Sequence, residues 1–255
     1  MSELGTDVAS DPHQPSITCE LDPGIELRQR GYAVVPSTRI RLSPELRDGF
    51  PRFAASWDCL QPDRYLLTDE IHAAYRLRRY GHYLVPPSGT DIRALGNRDY
   101  YQQKSTNPLF GGVRRQFAGL TRETQKDPFL LALLRHATTQ IAIASNTTAR
   151  SWLVDVHQIR ILGTADQPGA PAPEGPHQDG LEFISVHLIA RHNAAGGRTS
   201  LHRGAEQLAN AQLTQPLDSV YVNDAALLHY TEPITPAAGG TAVRDALLLG
   251  FRTAP

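Results

Sequence analysis

Pro176-His177-Gln178-Asp179-Gly180 is the segment that says most about how this chain folds. In an extended backbone alternate side chains point to the same side, so His177 and Asp179 can converge on one ligand while Gln178 points away. A Pro/Gly-rich stretch, residues 163–176, precedes the segment, and an apolar run, residues 182–190, follows it. The order indicates a turn that carries two metal-ligating side chains into the start of a strand.

A second histidine, His229, lies fifty positions after Asp179 and can supply a third ligand from a distant strand. Two imidazoles and one carboxylate on one face of an octahedral ion leave three adjacent positions open, as ferrous iron in non-haem oxygenases requires. The same residue types also suit catalytic zinc with an open position. A bare His-x-Asp match arises by chance about once in such a chain. The metal-site interpretation therefore depends on the strands and turns around it.

The rest of the chain predicts an α+β fold. Ser43-Pro44 and Asp127-Pro128 are typical helix starts, with a capping side chain before a proline. The second helix carries an apolar stripe formed by Leu130, Leu131, Leu134, Ile141 and Ile143. Residues 75–85 and 152–161 are strand-like, and short strands separated by turns follow residue 150. We expect a double-stranded β-helix (jelly-roll or cupin-like) core with a helical N-terminal buttress.

Composition narrows the class of protein. The 255 residues carry a net charge of −1 without a long basic run, which argues against nucleic acid and membrane partners. Residues 1–20 are polar and predict a disordered leader, without a secretory signal, and residues 21–255 predict a single domain. The two cysteines form neither a metal motif nor a disulfide framework, which fits a cytoplasmic location. The oligomeric state stays open, with a homodimer as one option.

Four segments together resemble the Fe(II)/2-oxoglutarate-dependent dioxygenases. They are residues 173–180, residues 193–197, Asn223-Asp224 leading to His229, and residues 244–251. The bacterial branch that includes L-isoleucine hydroxylase is the most similar, and the resemblance covers about residues 95–252. It implies Fe(II), the cosubstrate 2-oxoglutarate and O₂. It also implies His177, Asp179 and His229 as iron ligands and Arg244 as the anchor for the distal carboxylate of 2-oxoglutarate.

Two assignments near the cosubstrate stay open. Arg252 has the same strand parity as Arg244 and competes with it as the anchor, since either guanidinium could bind a carboxylate in a bidentate fashion. Thr199 follows a double glycine and could add a hydroxyl contact to the cosubstrate, or be an ordinary strand threonine.

Three residues are candidates for contacts with the substrate. Gln158 and Arg160 continue the strand face of Trp152, and Arg160 could bind a substrate carboxylate or form a structural ion pair. Glu174 could receive a substrate ammonium group, or be a surface loop residue. Residues 100–117 look like a loop that covers the substrate or a solvated patch.

The function expected from these features is hydroxylation of an unactivated C–H bond of a small molecule, with release of succinate and CO₂. A free L-amino acid is the first choice of substrate. Desaturation, cyclisation and a carrier-tethered substrate use the same chemistry and stay open. A zinc hydrolase would have no use for an arginine aimed at a dicarboxylate, and a non-catalytic 2-oxoglutarate sensor need not retain the complete set of residues.

Overall fold

The fold is described from a computed structural model that covers residues 14–66, 75–104, 106–107, 109 and 111–255. Its α-helices in these residues are α1 (Pro23–Arg30), α2 (Pro44–Ala55), α3 (Arg122–Gln125) and α4 (Pro128–Ser145). Its strands are β1 (Ile17–Cys19), β2 (Tyr32–Val35), β3 (Ile40–Leu42), β4 (Gln61–Pro62), β5 (Arg76–Val85), β6 (Arg93–Ala94), β7 (Tyr100–Tyr101), β8 (Arg114–Arg115), β9 (Trp152–Gly163), β10 (Phe183–His192), β11 (Ala194–Gly196), β12 (Thr199–Arg203), β13 (Glu206–Ala211), β14 (Ser219–Val222), β15 (Leu228–Thr231), β16 (Ile234–Pro236) and β17 (Ala242–Thr253).

A large antiparallel sheet forms the frame of the molecule, in the order β2-β14-β10-β17-β9-β5-β4 with β6 paired to β5. The smaller sheet β13-β12-β15 and the pair β11-β16 form a second layer. One cavity is lined both by β5, β9, β10 and β17 of the large sheet and by β15 of the small one. The predicted jelly-roll core with a helical N-terminal buttress is thereby confirmed.

Helices α2 and α4 cover the outer face of the large sheet. Both helices begin where the sequence predicts, and the Asp127 carboxylate accepts the Phe129 N–H at 2.8 Å at the start of α4. Phe53 of α2 stacks on Phe129 with ring centroids 5.0 Å apart. In the predicted stripe of α4, Leu130, Leu134 and Ile141 are buried, whereas Leu131 and Ile143 are half-buried. Burial of this apolar face stabilises the helical layer on the sheet.

Strand register decides which side chains face the cavity. In β9, Trp152, Val154 and Val156 lie in the core under the helices. His157, Ile159 and Ile161 therefore point to the other side, into the cavity.

The N-terminal part of the chain differs from the prediction. Ile17–Cys19 pairs with β3 as strand β1, so the disordered leader predicted for residues 1–20 is wrong for these three residues. Pairing with β3 and burial of Ile17 in the core order this segment. Residues 1–13 lie outside the described part of the chain. No helix in the described residues has the length and apolarity needed to cross a membrane.

We expect Leu134→Ala to destabilise the protein by about 2–5 kcal/mol, because it leaves a cavity between α4 and the sheet. Urea unfolding followed by circular dichroism measures the change. Leu131→Ala is the matched control: the same atoms are removed one turn earlier from a half-buried position, so the loss should be clearly smaller. Equal losses for the two variants would contradict the packing described for α4.

Candidate active site

His177 and His229 are held opposite each other by two backbone hydrogen bonds. The His177 N–H donates to the His229 carbonyl at 3.0 Å, and the His229 N–H donates to the His177 carbonyl at 2.9 Å. Residues paired in this way present their side chains on the same face. The two imidazole rings accordingly lie with their centroids 4.3 Å apart. Two histidines far apart in the sequence are thus neighbours in space.

Asp179 completes a group of three possible ligands. Its carboxylate oxygens lie 3.7 Å from His177 Nε2 and 3.6 Å from His229 Nε2. One potential ligand atom from each residue lies within 4.8 Å of the others. Donors bound at about 2.1 Å to one ion are separated by about 3 to 4.2 Å, so these distances suit a single metal ion. The three predicted ligands are therefore brought together.

The donor atoms that face the centre are the ones a metal ion needs. His177 Nδ1 donates to the Gly175 carbonyl at 2.9 Å, which leaves Nε2 as the atom with a lone pair. Asp179 Oδ1 accepts from Gln102 Nε2 at 3.1 Å, and Oδ2 has no hydrogen-bond partner among the described residues. A buried carboxylate oxygen in this position is costly unless a cation binds it. The residues fit ferrous iron, whose ligands are of these types.

Asp224 fixes the backbone that carries the acidic ligand. Its buried carboxylate accepts the Asp179 N–H at 2.9 Å and the Leu181 N–H at 2.9 Å. Gln178 points away from the centre, as predicted, and donates to the Asp224 carbonyl at 2.6 Å. Burial, with the charge of Asp179, raises the pKa of Asp224 to about 7. These contacts orient residues 177–181, here called the metal loop, before any metal binds.

The protonation states also suit metal binding. Burial, with the neighbouring His177, lowers the pKa of His229 to about 4, so its imidazole is neutral at pH 7. Burial by itself would raise the pKa of Asp179, but His229 and His177 bring it below its ordinary value. A neutral imidazole and an ionised carboxylate are the forms that bind metal.

Arg244 lies in the same cavity, together with Ala246 and Leu248 of its own strand face. Its Nε and Nη2 atoms have no hydrogen-bond partner within the described part of the chain. Burial, with the nearby Arg191, lowers its pKa to about 10, so the guanidinium is still charged at pH 7. An anionic group is needed to satisfy it. The competing candidate, Arg252, donates instead to Asp155 Oδ2 at 2.7 Å.

Thr199, predicted as a possible cosubstrate contact, does not line the cavity. It lies on β12 and forms a 3.0 Å hydrogen bond with Thr231 on β15, directly opposite in the register. Thr231 lines the cavity. The structure therefore agrees with the alternative interpretation of Thr199 as an ordinary strand threonine.

Gln158 and Arg160 do not face the cavity, and their prediction as substrate contacts is wrong. Gln158 Nε2 donates to Ser56 Oγ at 2.7 Å beneath α2. Arg160 binds both oxygens of Asp245 at 2.8 Å, which is the structural ion pair left open as its alternative. The apolar half of that strand face packs against helices, and the polar half continues along the same outer face.

Glu174 does line the cavity. Its Oε1 accepts from Asn107 Nδ2 at 3.2 Å and lies 3.6 Å from His177 Nε2. Its Oε2 is buried, without a hydrogen-bond partner in the described residues. The surface-loop interpretation of Glu174 does not agree with this burial.

Other residues of the cavity were not singled out in the sequence. Tyr100, Gln102, Asn107 and Arg115 belong to the segment predicted as a covering loop, and all four line the cavity. Arg76 and Arg78 come from β5, and His157 from β9. The alternation of Arg76, Arg78 and Tyr80 along one strand face was the available signal, but nothing local shows which face is inward.

Comparisons with known proteins agree with this geometry. A family model described as 2OG-Fe dioxygenase matches residues 54–250. L-isoleucine-4-hydroxylase from Bacillus thuringiensis is 27% identical over 195 residues, which are 75% of this chain and 80% of that protein.

Two crystal structures show the same fold. A bsmA homologue from Methylobium petroleophilum PM1 matches with a TM-score of 0.76 and 26% identity, over 92% of this chain and 96% of the other. IDO from Bacillus thuringiensis matches with a TM-score of 0.74 and 19% identity, over 91% of this chain and 95% of the other.

We expect His177→Ala, Asp179→Ala and His229→Ala each to weaken Fe(II) binding by more than about 100-fold, because each removes one of three ligands. Anaerobic titration with Fe(II) measures the affinity directly. His192→Ala is the control, since His192 is an exposed histidine at the end of β10. Wild-type affinity in any of the three variants would remove that residue from the proposed ligand set.

Proposed function

We propose that this chain, which belongs to the 2OG-Fe dioxygenase family, hydroxylates an unactivated C–H bond of a free L-amino acid. The family membership makes the chain a 2-oxoglutarate-dependent iron dioxygenase that uses Fe(II), 2-oxoglutarate and O₂. The amino-acid substrate is the further step. It is supported by the likeness to L-isoleucine-4-hydroxylase and by the charges inside the cavity.

In this proposal His177, Asp179 and His229 hold the iron, and Arg244 binds the distal carboxylate of 2-oxoglutarate. When bound, iron with 2-oxoglutarate and O₂ supplies the oxidant for C–H hydroxylation, with succinate and CO₂ as coproducts. The protein's part is placement and exclusion of water. Ile161, Val186 and Leu248 give the cavity apolar walls between its charged groups, and Thr231 adds a hydroxyl beside His229.

The observation that carries the amino-acid proposal is Glu174 Oε2, which is buried beside the candidate ligand His177 and has no hydrogen-bond partner among the residues that the structure describes. A buried carboxylate oxygen without a partner is stabilised by a cationic group that enters the cavity. The ammonium of an amino acid has the charge and the hydrogen-bond donors for this position. Asn107 holds the other oxygen of Glu174 and so fixes the direction of the free one.

A zinc hydrolase explains less of the cavity. Its reaction has no role for the buried Arg244, which lines the cavity and has two nitrogens without partners in the described part of the chain. The matched family model points to iron as well.

We expect Arg244→Ala to raise the KM for 2-oxoglutarate by about 30-fold or more, because a buried charged pair is worth about 2 kcal/mol or more on truncation. Steady-state assays of succinate release at varied 2-oxoglutarate measure the effect. Arg252→Ala is the control, since Arg252 pairs with Asp155, and should change this KM by less than about threefold. The reverse pattern would assign the anchor to Arg252.

We expect at least one free L-amino acid to stimulate succinate release in air and to gain one oxygen atom. A panel of L-amino acids, each followed by mass spectrometry, tests this and separates hydroxylation from desaturation. Glu174→Gln should raise the KM for the amino acid by about 10-fold or more, because it removes the charge that faces the ammonium. The same variant should not change the KM for an analogue without the amino group. A panel without any stimulated release would reject the proposed substrate class.

A further inference from the structure

We infer that Arg76 and Arg78, on the inner face of β5, form the subsite that binds the carboxylate of the substrate. The inference rests on the proposed amino-acid hydroxylase function and adds the recognition of the second charged end of the substrate. Glu174 was argued above to receive the ammonium group, and the two arginines supply the opposite charge in the same cavity.

The two guanidinium groups share a single buried countercharge. Arg76 Nη2 lies 2.9 Å and Arg78 Nη1 lies 3.4 Å from the same oxygen, Oδ2 of Asp63. The side chains of Arg76, Arg78 and Asp63 are 8%, 7% and 0% exposed. Two buried guanidinium groups thus share one carboxylate oxygen, and a shared countercharge offsets the cost of burial less well than a separate partner for each. A structural ion pair would need only one of the arginines.

The geometry leaves one donor of Arg78 for a ligand. Arg78 Nε has no hydrogen-bond partner among the described residues, although the side chain is buried and faces the cavity. Phe117 lies under its guanidinium at 3.7 Å, and its Nη2 lies 2.6 Å from His157 Nδ1. Burial, with Arg78, lowers the pKa of His157 to about 3, so the ring is neutral and its Nδ1 accepts from Arg78. Arg78 is therefore held rigid with one donor unused.

The arginine pair is separate from the proposed cosubstrate anchor. Arg76 is paired with Ile161 of β9, and Ile161 is paired on its other side with Arg244 of β17. Arg76 and Arg244 therefore lie in one row across the sheet, with Cα atoms about 10 Å apart, two strand spacings. In this row Arg76 lies on one side of Ile161 and Arg244 on the other. This arrangement can hold two carboxylates from two different molecules.

The cationic and anionic groups proposed for the substrate lie on neighbouring segments. Arg76 Nη1 donates to the Pro171 carbonyl at 3.4 Å, three residues before Glu174. An α-amino acid has its carboxylate and its ammonium on one carbon, so the groups that bind them must be close together. The contact of Arg76 with Pro171 places β5 beside the segment that carries Glu174, and all three charged residues line the same cavity.

The experiment compares a substrate L-amino acid with its own carboxamide, which keeps the amine and the side chain but has no negative charge. We expect wild-type protein to show a KM at least about 10-fold lower for the acid than for the amide. Arg78→Gln and Arg76→Gln should each raise the KM for the acid by about 10-fold or more. Both variants should leave the KM for the amide and for 2-oxoglutarate within about threefold.

Arg79→Gln is the matched control. Arg79 is the next residue of β5 after Arg78, but it donates to the carbonyls of Cys59 and Gly119 and not into the cavity. It removes the same charge from the same strand, and it should keep the wild-type preference for the acid. The anaerobic charge-transfer absorption of the Fe(II)·2-oxoglutarate complex checks that each variant retains a loaded site.

The two proposals fail differently. If amino acids are turned over but the arginine variants keep the wild-type preference for the acid, the carboxylate subsite is wrong and the proposed function stands. If no amino acid is turned over, the proposed function fails. Calorimetry then titrates L-amino acids of the panel, each with its own carboxamide, into anaerobic protein loaded with Mn(II) and 2-oxoglutarate. Binding of the acid that Arg78→Gln weakens supports the subsite, and equal or absent binding of both compounds overturns it. If a variant fails to fold, an equal KM for the acid and the amide on wild-type protein still overturns the subsite.

Discussion

The pair of backbone hydrogen bonds between His177 and His229 is the constraint on which the site depends. It joins the metal loop to β15 of the small sheet and sets both imidazoles on one face. Asp179 then needs to be placed only two residues further along a loop that Asp224 already holds. A displacement of the pairing by one residue would turn one histidine away from the centre. Main-chain hydrogen bonds therefore position the three side chains for metal binding.

The cavity concentrates buried charged atoms that lack partners in the described residues. They include Asp179 Oδ2, Glu174 Oε2, Arg78 Nε, and Nε and Nη2 of Arg244. Such atoms are uncommon in folded proteins, because each loses the hydration that it had in the unfolded chain. Each of these atoms faces a cavity that an ion, a dianion or a zwitterion could fill. The apolar packing of α2 and α4 on the sheet offsets this cost.

The sequence predicted the parts of the structure that depend on local rules. Both α2 and α4 begin at a proline, as predicted, and Asp127 caps α4, whereas the Ser43 side chain makes no capping hydrogen bond in α2. The spacing of His177 and Asp179 follows from extended backbone. The errors concern pairing between distant segments. Strand β9 is covered on both faces, so its pattern does not reveal that His157 is inward and Arg160 outward. Thr199 pairs with Thr231 of a distant strand, and only Thr231 lines the cavity. The inward direction of Arg76 and Arg78 can be predicted only when β5 is known to pair with β9.

The row Arg76–Ile161–Arg244 suggests how one cavity can distinguish two carboxylate-bearing molecules. Coulomb attraction alone would draw either molecule to either arginine, since both sites are cationic. The difference comes from the neighbours of each arginine. Arg244 lies with Thr231, Ala246 and Leu248 in the cavity lining, and the β5 pair lies near the segment that carries Glu174. In the proposed arrangement Glu174 attracts the ammonium of a zwitterion bound at the β5 pair and repels a second carboxylate there. The anionic Glu174 thus provides selectivity through repulsion as well as attraction.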